Sequence, residues 1–355
     1  MMHKYDYRWT LKDADFTKDK GKVFSCFACG GGSTMGYKLA GFDVIGCNEI
    51  DHRMMYTYCQ NHNPRFPFLE PIQMFKEKND LPPELFNLDI LDGSPPCSTF
   101  SIAGSREDAW GKMKHFREGQ AEQVLDTLFF DFIDLAKRLQ PKVVVAENVK
   151  GLLLGEAKNY VRRIYEGFED AGYYCQHWLL DAQKMGVPQR RERVFFVCLR
   201  KDIAAPFLVS QGLFDVVPAL NLDFNEKPIM FGEVADFKGR EAKSKTIRLL
   251  WDNRQKGDLN QGAANERLFG KGSNFNQTYV YLDRICPTLA SKESCLIHFE
   301  QPRFLGQSEV CCISSFPQDY NFAGQPSHYV CGMSVPPVMM AQIASRIWEY
   351  WLSKI

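Results

Sequence analysis

Short runs rich in β-branched and aromatic residues recur through the first two thirds of the chain, at Lys22 to Phe27, Phe42 to Cys47, Leu85 to Leu91, Lys142 to Ala146, Tyr173 to Leu180 and Val194 to Leu199, and each predicts a strand. Amphipathic stretches separate them. The clearest is Gln120 to Leu139, where Leu125, Leu128, Phe129, Phe132, Ile133 and Leu135 follow helical spacing and Pro141 ends the helix. Strands alternating with helices predict an α/β fold, doubly wound around a mostly parallel sheet. The last two strands, joined by a short connection, are expected to form an antiparallel hairpin. Beyond residue 202 the periodicity fades: Gly212 to Asn276 is rich in Gly, Asn, Lys and Arg and predicts no regular element. An apolar helical pattern returns after Pro336-Pro337 and is expected to pack back onto the first domain. The chain holds no internal repeat and no low-complexity tract.

Charge is balanced, with 43 Lys+Arg against 43 Asp+Glu. That argues against a protein that coats nucleic acid indiscriminately, but leaves room for a local basic cleft. The 45% hydrophobic and 24% charged content excludes a disordered, collagen-like or coiled-coil chain. No apolar run reaches the roughly 18 residues of a membrane span, and Met1 to Lys22 mixes charges with aromatics, so a cytoplasmic protein with no membrane partner is expected. Twelve scattered cysteines predict reduced thiols. At roughly 100 to 200 residues per domain, 355 residues suggest two domains. One stretch, Lys238 to Lys256, is strongly basic, with seven cationic residues and two acidic ones. On charge alone it reads equally as a solvated loop or as an anion-facing surface.

Ligands of an open parallel sheet gather beyond the carboxyl ends of its strands. Four unusual segments fall there: Phe27-Ala28-Cys29-Gly30-Gly31-Gly32, Asn48-Glu49-Ile50-Asp51, Ser94-Pro95-Pro96-Cys97 and Glu147-Asn148-Val149. The glycine run permits close approach of backbone to a ligand, and Glu49 is placed to accept hydrogen bonds from ribose hydroxyls. The spacing is not Gly-x-Gly-x-x-Gly, which favours an adenosine ligand without pyrophosphate. Cys26-x-x-Cys29 lacks a second cysteine pair or a histidine pair, so a metal site is not expected. Two prolines stiffen the loop that presents Cys97. Glu147 ends the next predicted strand, and Gln189-Arg190-Arg191-Glu192-Arg193 opens the last one. A thiol, a carboxyl group and guanidinium groups can thus meet in one cleft, where nearby arginines favour the reactive thiolate.

These residues, in this order, resemble the DNA (cytosine-5) methyltransferases of bacterial and phage type over nearly the whole chain. Phe27 to Gly32 resembles the family's first motif, Asn48 to Asp51 its second, and Pro95-Pro96-Cys97-Ser98-Thr99-Phe100-Ser101 its catalytic loop. Leu128-Phe129-Phe130-Asp131 with Pro141-Lys142-Val143-Val144 is similar to the following helix and strand, and Glu147-Asn148-Val149-Lys150-Gly151 to the base-binding strand end. Gly186 to Arg193 resembles the paired-arginine motif, Arg303 to Tyr320 the segment that braces the recognition domain, and Gly332 to Pro337 the final motif. Agreement in one such segment is easy by chance; in all eight it is not. Cys29 stands where the family usually carries glycine, Ser25 where it often carries an acid, and Met333 where it usually carries asparagine. The stretch from Arg106 to Gln123 is longer than in compact relatives.

The resemblance implies a seven-stranded sheet of the S-adenosylmethionine-dependent methyltransferase type, with a smaller irregular target-recognition domain. Residues 1–202, completed by 320–355, would form the catalytic and cofactor-binding domain, and 203–319 the recognition domain. S-adenosylmethionine is the implied cofactor and S-adenosylhomocysteine the product, with Phe27, Ala28, Gly31, Gly32, Glu49, Ile50, Glu70, Pro96 and Leu128 as the implied contacts. Cys97 is the implied nucleophile toward carbon 6 of cytosine, with Glu147 holding the ring nitrogen and amine, and Arg191 and Arg193 holding the base oxygen and the thiolate. The implied partner is double-stranded DNA with the target base flipped out. Arg106, Lys112, Lys114 and Arg117 are expected to contact phosphates as the catalytic loop closes. A monomer is expected, acting in a bacterial or phage-infected cell near the nucleoid, with or without a cognate restriction endonuclease. The competing readings are an RNA cytosine-5 methyltransferase and a catalytically silent DNA-binding relative. Ser98-Thr99-Phe100-Ser101 speaks against the first, and retention of Cys97, Glu147 and both arginines against the second.

Overall fold

Seven short runs pair into one sheet: β1 (Lys22–Cys26), β2 (Asp43–Glu49), β3 (Phe66–Leu69), β4 (Ile90–Gly93), β5 (Val143–Val149), β6 (Tyr173–Asp181) and β7 (Glu192–Arg200). Their order is β3-β2-β1-β4-β5-β7-β6. The first five pair in parallel, whereas β7 runs antiparallel to β5, with Glu147 opposite Phe195 and Val149 opposite Arg193. The computed structural model describes residues 3–96, 127–154, 157–211, 215–270 and 277–355. Central strands covered on both faces read as continuous apolar runs, and Val143 to Ala146 are all fully buried.

Helices α1 (Gly32–Leu39), α2 (His52–His62), α3 (Ile72–Phe75), α4 (Leu128–Leu139) and α5 (Ala157–Asp170) follow the strands in the expected alternation. Phe75 of α3, Phe129 and Phe132 of α4, and Ile164 and Phe168 of α5 pack with Phe24, Leu91, Val144 and Phe196 in one core. Each such side chain contributes about 1.5 to 3 kcal/mol by leaving water. α1 lies on the other face, where Tyr37 reaches β4. α4 ends as its sequence dictates: Lys137 and Arg138 sit in its last turn, Gln140 takes a left-handed conformation, and Pro141 follows. Of the predicted helix from Gln120, residues 120–126 lie outside the described residues. Among the described residues no helix is long and apolar enough to cross a membrane.

The structure differs from expectation at two strands. β3 is missing from the sequence reading because Phe66-Pro67-Phe68-Leu69 is short, contains proline and buries no residue fully. The strand expected from Leu85 begins at Ile90 instead, because Pro82-Pro83 opens a 3₁₀ turn that buries Leu85 over Pro83–Phe86.

Two compact units make up the chain. One comprises residues 15–180, 192–223 and 340–355; the other comprises 1–14, 181–191 and 224–339. The expected boundaries at 202/203 and 319/320 are therefore crossed in several places. Within the sheet unit, Trp351 Nε1 donates to Ala219 O at 2.8 Å and Gln176 Nε2 to Pro218 O at 2.8 Å, which holds the hairpin β8 (Leu208–Gln211) and β9 (Asp215–Pro218) there. Trp348, in the terminal helix expected to pack back, meets Phe42 edge-on at 6.2 Å. Within the other unit, Trp9 Nε1 donates to Ser315 O at 2.8 Å and Gln189 Nε2 to Ile313 O at 3.0 Å, which ties the N-terminal residues and the β6–β7 connection to residues far along the chain.

The segment that predicted no regular element holds two helices, α6 (Lys245–Asp252) and α7 (Gln261–Phe269). They accompany the parallel strands β10 (Thr278–Val280) and β11 (Leu296–His298). Its small core joins Ala242, Trp251, Tyr279, Tyr281, Ile297 and Phe304. Arg254 lies over the Trp251 ring at 3.2 Å and the Phe299 ring at 4.8 Å. Sequence periodicity missed this core because its aromatics come from three separated stretches. After it come α8 (Gln307–Ile313), α9 (Ser327–Met333) and α10 (Pro337–Tyr350).

Candidate active site

The turn after β1 is unusual in its backbone. Phe27, Cys29 and Gly31 have φ values of +53°, +46° and +75°. Left-handed residues other than glycine cost of order 1 to 3 kcal/mol each and persist where the surroundings fix them. Those surroundings are visible: Ala28 N donates to Asn48 O at 3.3 Å, Gly31 N to Ala28 O at 2.8 Å, and Cys29 N to Glu49 Oε2 at 2.8 Å. Cys29 thus holds the backbone conformation that glycine adopts most readily. At Gly31 a side chain has no room, since an added Cβ would lie 2.2 Å from His62 Nε2. The glycine answers to α2 as much as to any ligand. Gly32, buried, opens α1, and Ala28 is buried beneath the turn.

Glu49 joins the ends of β1 and β2. Its carboxylate accepts from Cys29 N at 2.8 Å and from Ile50 N and Asp51 N at 2.9 Å each. Burial pushes its acidity toward higher pH, and the three backbone donors oppose that shift. A carboxylate offers about four acceptor sites, so room remains for a ligand hydroxyl. Ile50 is half-buried beside it, and Asp51 caps α2 through Arg53 N. Phe27, half-buried, faces Phe132 with ring centroids 6.4 Å apart. Glu70 follows β3; Asn48 Nδ2 donates to its carbonyl at 2.8 Å, while its carboxylate pairs with Lys78 at 3.4 Å. Leu128 is fully buried in the core, so its contribution is packing rather than polar contact. An aromatic ring, a carboxylate acceptor and a tight backbone turn together suit an adenosine-bearing ligand.

On the next strands, Glu147 Oε1 meets Arg193 Nε at 3.0 Å, with only 12% and 16% of the two side chains exposed. Burial lowers the Arg193 pKa and Glu147 opposes that shift. A second rung lies beside it, Lys150 with Glu192 at 2.8 Å. Asn148 Nδ2 donates to Pro95 O at 3.2 Å and so anchors the stiff loop to the Glu147 strand end. Pro96, half-buried, is the last described residue of that loop. Cys97, Ser98 to Ser101, and Arg106, Lys112, Lys114 and Arg117 lie outside the described residues.

The model for the C-5 cytosine-specific DNA methylase family matches residues 21–349. The chain belongs to that family. Among its relatives is the type II methyltransferase M.FnuDI of Fusobacterium nucleatum, 37% identical over 185 residues, or 51% of this chain and 48% of that protein. M.NgoPII of Neisseria gonorrhoeae is 34% identical over 54% of this chain and 51% of its own. The chain thus spans about half the length of these two curated relatives. M.DdeI of Desulfomicrobium norvegicum is 27% identical over 93% of this chain and 89% of its own. Two solved structures share the fold: a protein encoded within an E. coli prophage (20% identity, TM-score 0.63, covering 93% of this chain and 99% of that one) and Spodoptera frugiperda DNMT2 (16% identity, TM-score 0.61, 91% and 98%).

For this cytosine methylase family member, the two arginines part company. Arg191 is 3% exposed, and its guanidinium donates to Leu289 O at 3.3 Å, Gly332 O at 2.9 Å and Ser334 O at 3.0 Å. Those donors fasten the β6–β7 connection to two distant segments, so Arg191 carries a bracing role beside the base contact expected of it. Arg193, expected on the base and the thiolate, meets the Glu147 carboxylate. The sequence reading quoted Asn48 and Asn148 within their motifs without giving either a role, and it passed over Asp92. An acid within the apolar run Ile90-Leu91-Asp92 was the one signal for the last.

Proposed function

We propose that the chain is a DNA (cytosine-5) methyltransferase acting on a flipped-out cytosine in a specific short duplex sequence. The Glu147–Arg193 pair, one residue from the Asn148 anchor of the loop that carries Cys97, is the observation that supports this most. Carbon 5 of cytosine is a poor nucleophile. The Cys97 thiolate adds to carbon 6, and Glu147, oriented by Arg193, accepts from the amine and shares its carboxyl proton with the ring nitrogen as charge develops there. S-adenosylmethionine supplies the methyl group; Phe27 would pack on its adenine and the remaining Glu49 lone pair would hold its ribose. Loss of the carbon 5 proton and departure of Cys97 restore the enzyme. Duplex DNA carrying 5-fluorocytosine at the target has no such proton to lose. A covalent protein–DNA adduct is therefore expected with cofactor present and none with Cys97→Ala. An adduct in that variant would remove Cys97 from its role, and equal trapping on RNA would redirect the substrate.

In this reading, residues 224–319 recognise the target and the sheet unit carries catalysis. Support comes from the basic stretch. Arg240 and Arg248 pair with Glu293 and Glu241, and Arg254 is spent on aromatic rings, whereas Lys243, Lys245 and Lys256 are exposed and make no ion pair among the described residues. Replacing these three lysines with Gln is expected to weaken DNA binding and to flatten its log–log salt dependence by about one unit for each phosphate left without its cation. Thermal stability should stay unchanged. An unaltered salt slope would move the DNA surface elsewhere.

A further inference from the structure

Asp92 lies on β4, three residues before Pro95, and is 1% exposed. Ser25 Oγ of β1 donates to its Oδ2 at 2.8 Å and Tyr37 Oη of α1 to its Oδ1 at 3.3 Å, with Ser33 in the first turn of α1 as a third hydroxyl partner. It makes no ion pair among the described residues. The other titratable groups facing it are Cys26 of β1, Tyr58 of α2 and Glu147 of β5, and none is a cation. A buried carboxylate with hydroxyl partners but no counter-ion is costly to ionise, and a neighbouring carboxylate makes it costlier. It stands between the turn that leads into α1 and the strand that leads into the Pro95-Pro96 loop. Both segments carry the proposed cofactor contacts.

We propose that Asp92 is the counter-charge for a cationic cofactor: it becomes fully ionised when S-adenosylmethionine binds and returns to the proton equilibrium of the free enzyme once the sulfonium has become the thioether of S-adenosylhomocysteine. This rests on the cofactor reading above. The two molecules differ by one positive charge at sulfur, so the carboxyl group distinguishes substrate from product without touching either. Burial raises its pKa from 3.8 to about 7, which leaves the free enzyme about half protonated at neutral pH. Below pH 7 a proton must leave before the favourable pair forms. S-adenosylmethionine affinity should therefore rise as pH increases through 7, then level off, while S-adenosylhomocysteine affinity lacks this component. The ratio of the two affinities should increase up to roughly tenfold between pH 6 and 8.

Calorimetric titration of the full chain, in buffers of different ionisation heat at pH 7, counts the protons released. S-adenosylmethionine is expected to release up to about half a proton more from the wild type than from Asp92→Asn, and S-adenosylhomocysteine the same number from both. Ser25→Ala removes a donor that favours the ionised form, so it should move the release profile to higher pH. That variant carries the test if Asp92→Asn fails to fold. Equal release by S-adenosylmethionine from wild type and Asp92→Asn, or an unmoved profile in Ser25→Ala, overturns the proposal while leaving the cofactor reading intact. Failure of the wild type to bind either molecule overturns both.

Discussion

Glu147→Gln is expected to lower kcat by about two to four orders of magnitude, with cofactor affinity changed less than about threefold. Glutamine keeps the shape and still offers an oxygen to Arg193, so the fold around β5 and β7 should survive. What it lacks is an acidic proton to share with the ring nitrogen as that nitrogen gains proton affinity. The effect should fall on kcat rather than on KM for DNA, because the interaction grows only toward the transition state. Arg193→Ala provides the companion measurement. Removing the guanidinium takes away the partner that orients a carboxyl group only 12% exposed, and should lower kcat while leaving KM for DNA little changed. A Glu147→Gln enzyme turning over at the wild-type rate would end the assignment of this carboxylate to the chemistry.

Arg191→Ala is expected to act on stability instead. It strips the carbonyls of Leu289, Gly332 and Ser334 of a shared donor and opens a cavity where a nearly buried side chain had been. Unsatisfied buried acceptors cost about 1 to 3 kcal/mol each, so a loss of about 3 to 5 kcal/mol is expected, read as a lower melting temperature by circular dichroism. Lysine should recover only part of this, since one ammonium cannot match three diverging carbonyls as a planar fork does. A variant that melts like the wild type but has lost turnover would leave Arg191 only the base-gripping role that its place in the motif implied.

The contrast between the two arginines shows where the sequence stopped being informative. Arg191 and Arg193 sit two apart in one motif and read alike. Which of them meets Glu147 depends on the antiparallel register of β5 and β7, in which Arg193 lies opposite Val149. Nothing local encodes that register. Glu49 was legible as a functional acid, and two of its backbone donors, Ile50 and Asp51, are local, but the third, Cys29, arises only when the turns after β1 and β2 come together. Asp92 was passed over just beyond the strand expected to end at Leu91, and its lack of an ion pair among the described residues is a property of four packed elements.

Local chemistry determined the class of this protein: apolar runs long enough for buried strands, prolines that stiffen the loop before Cys97, glycine where the backbone must turn left-handed, and acids at strand ends. These follow from steric and burial preferences of individual residues, which a linear string displays. The tertiary structure alone decided which side chains share a charge, which guanidinium braces and which pairs, and that residues 1–14 and 181–191 belong with 224–339. Those outcomes depend on contacts between residues tens to hundreds of positions apart, where each hydrogen bond or ion pair forms only after the whole core has fixed the distance between its partners.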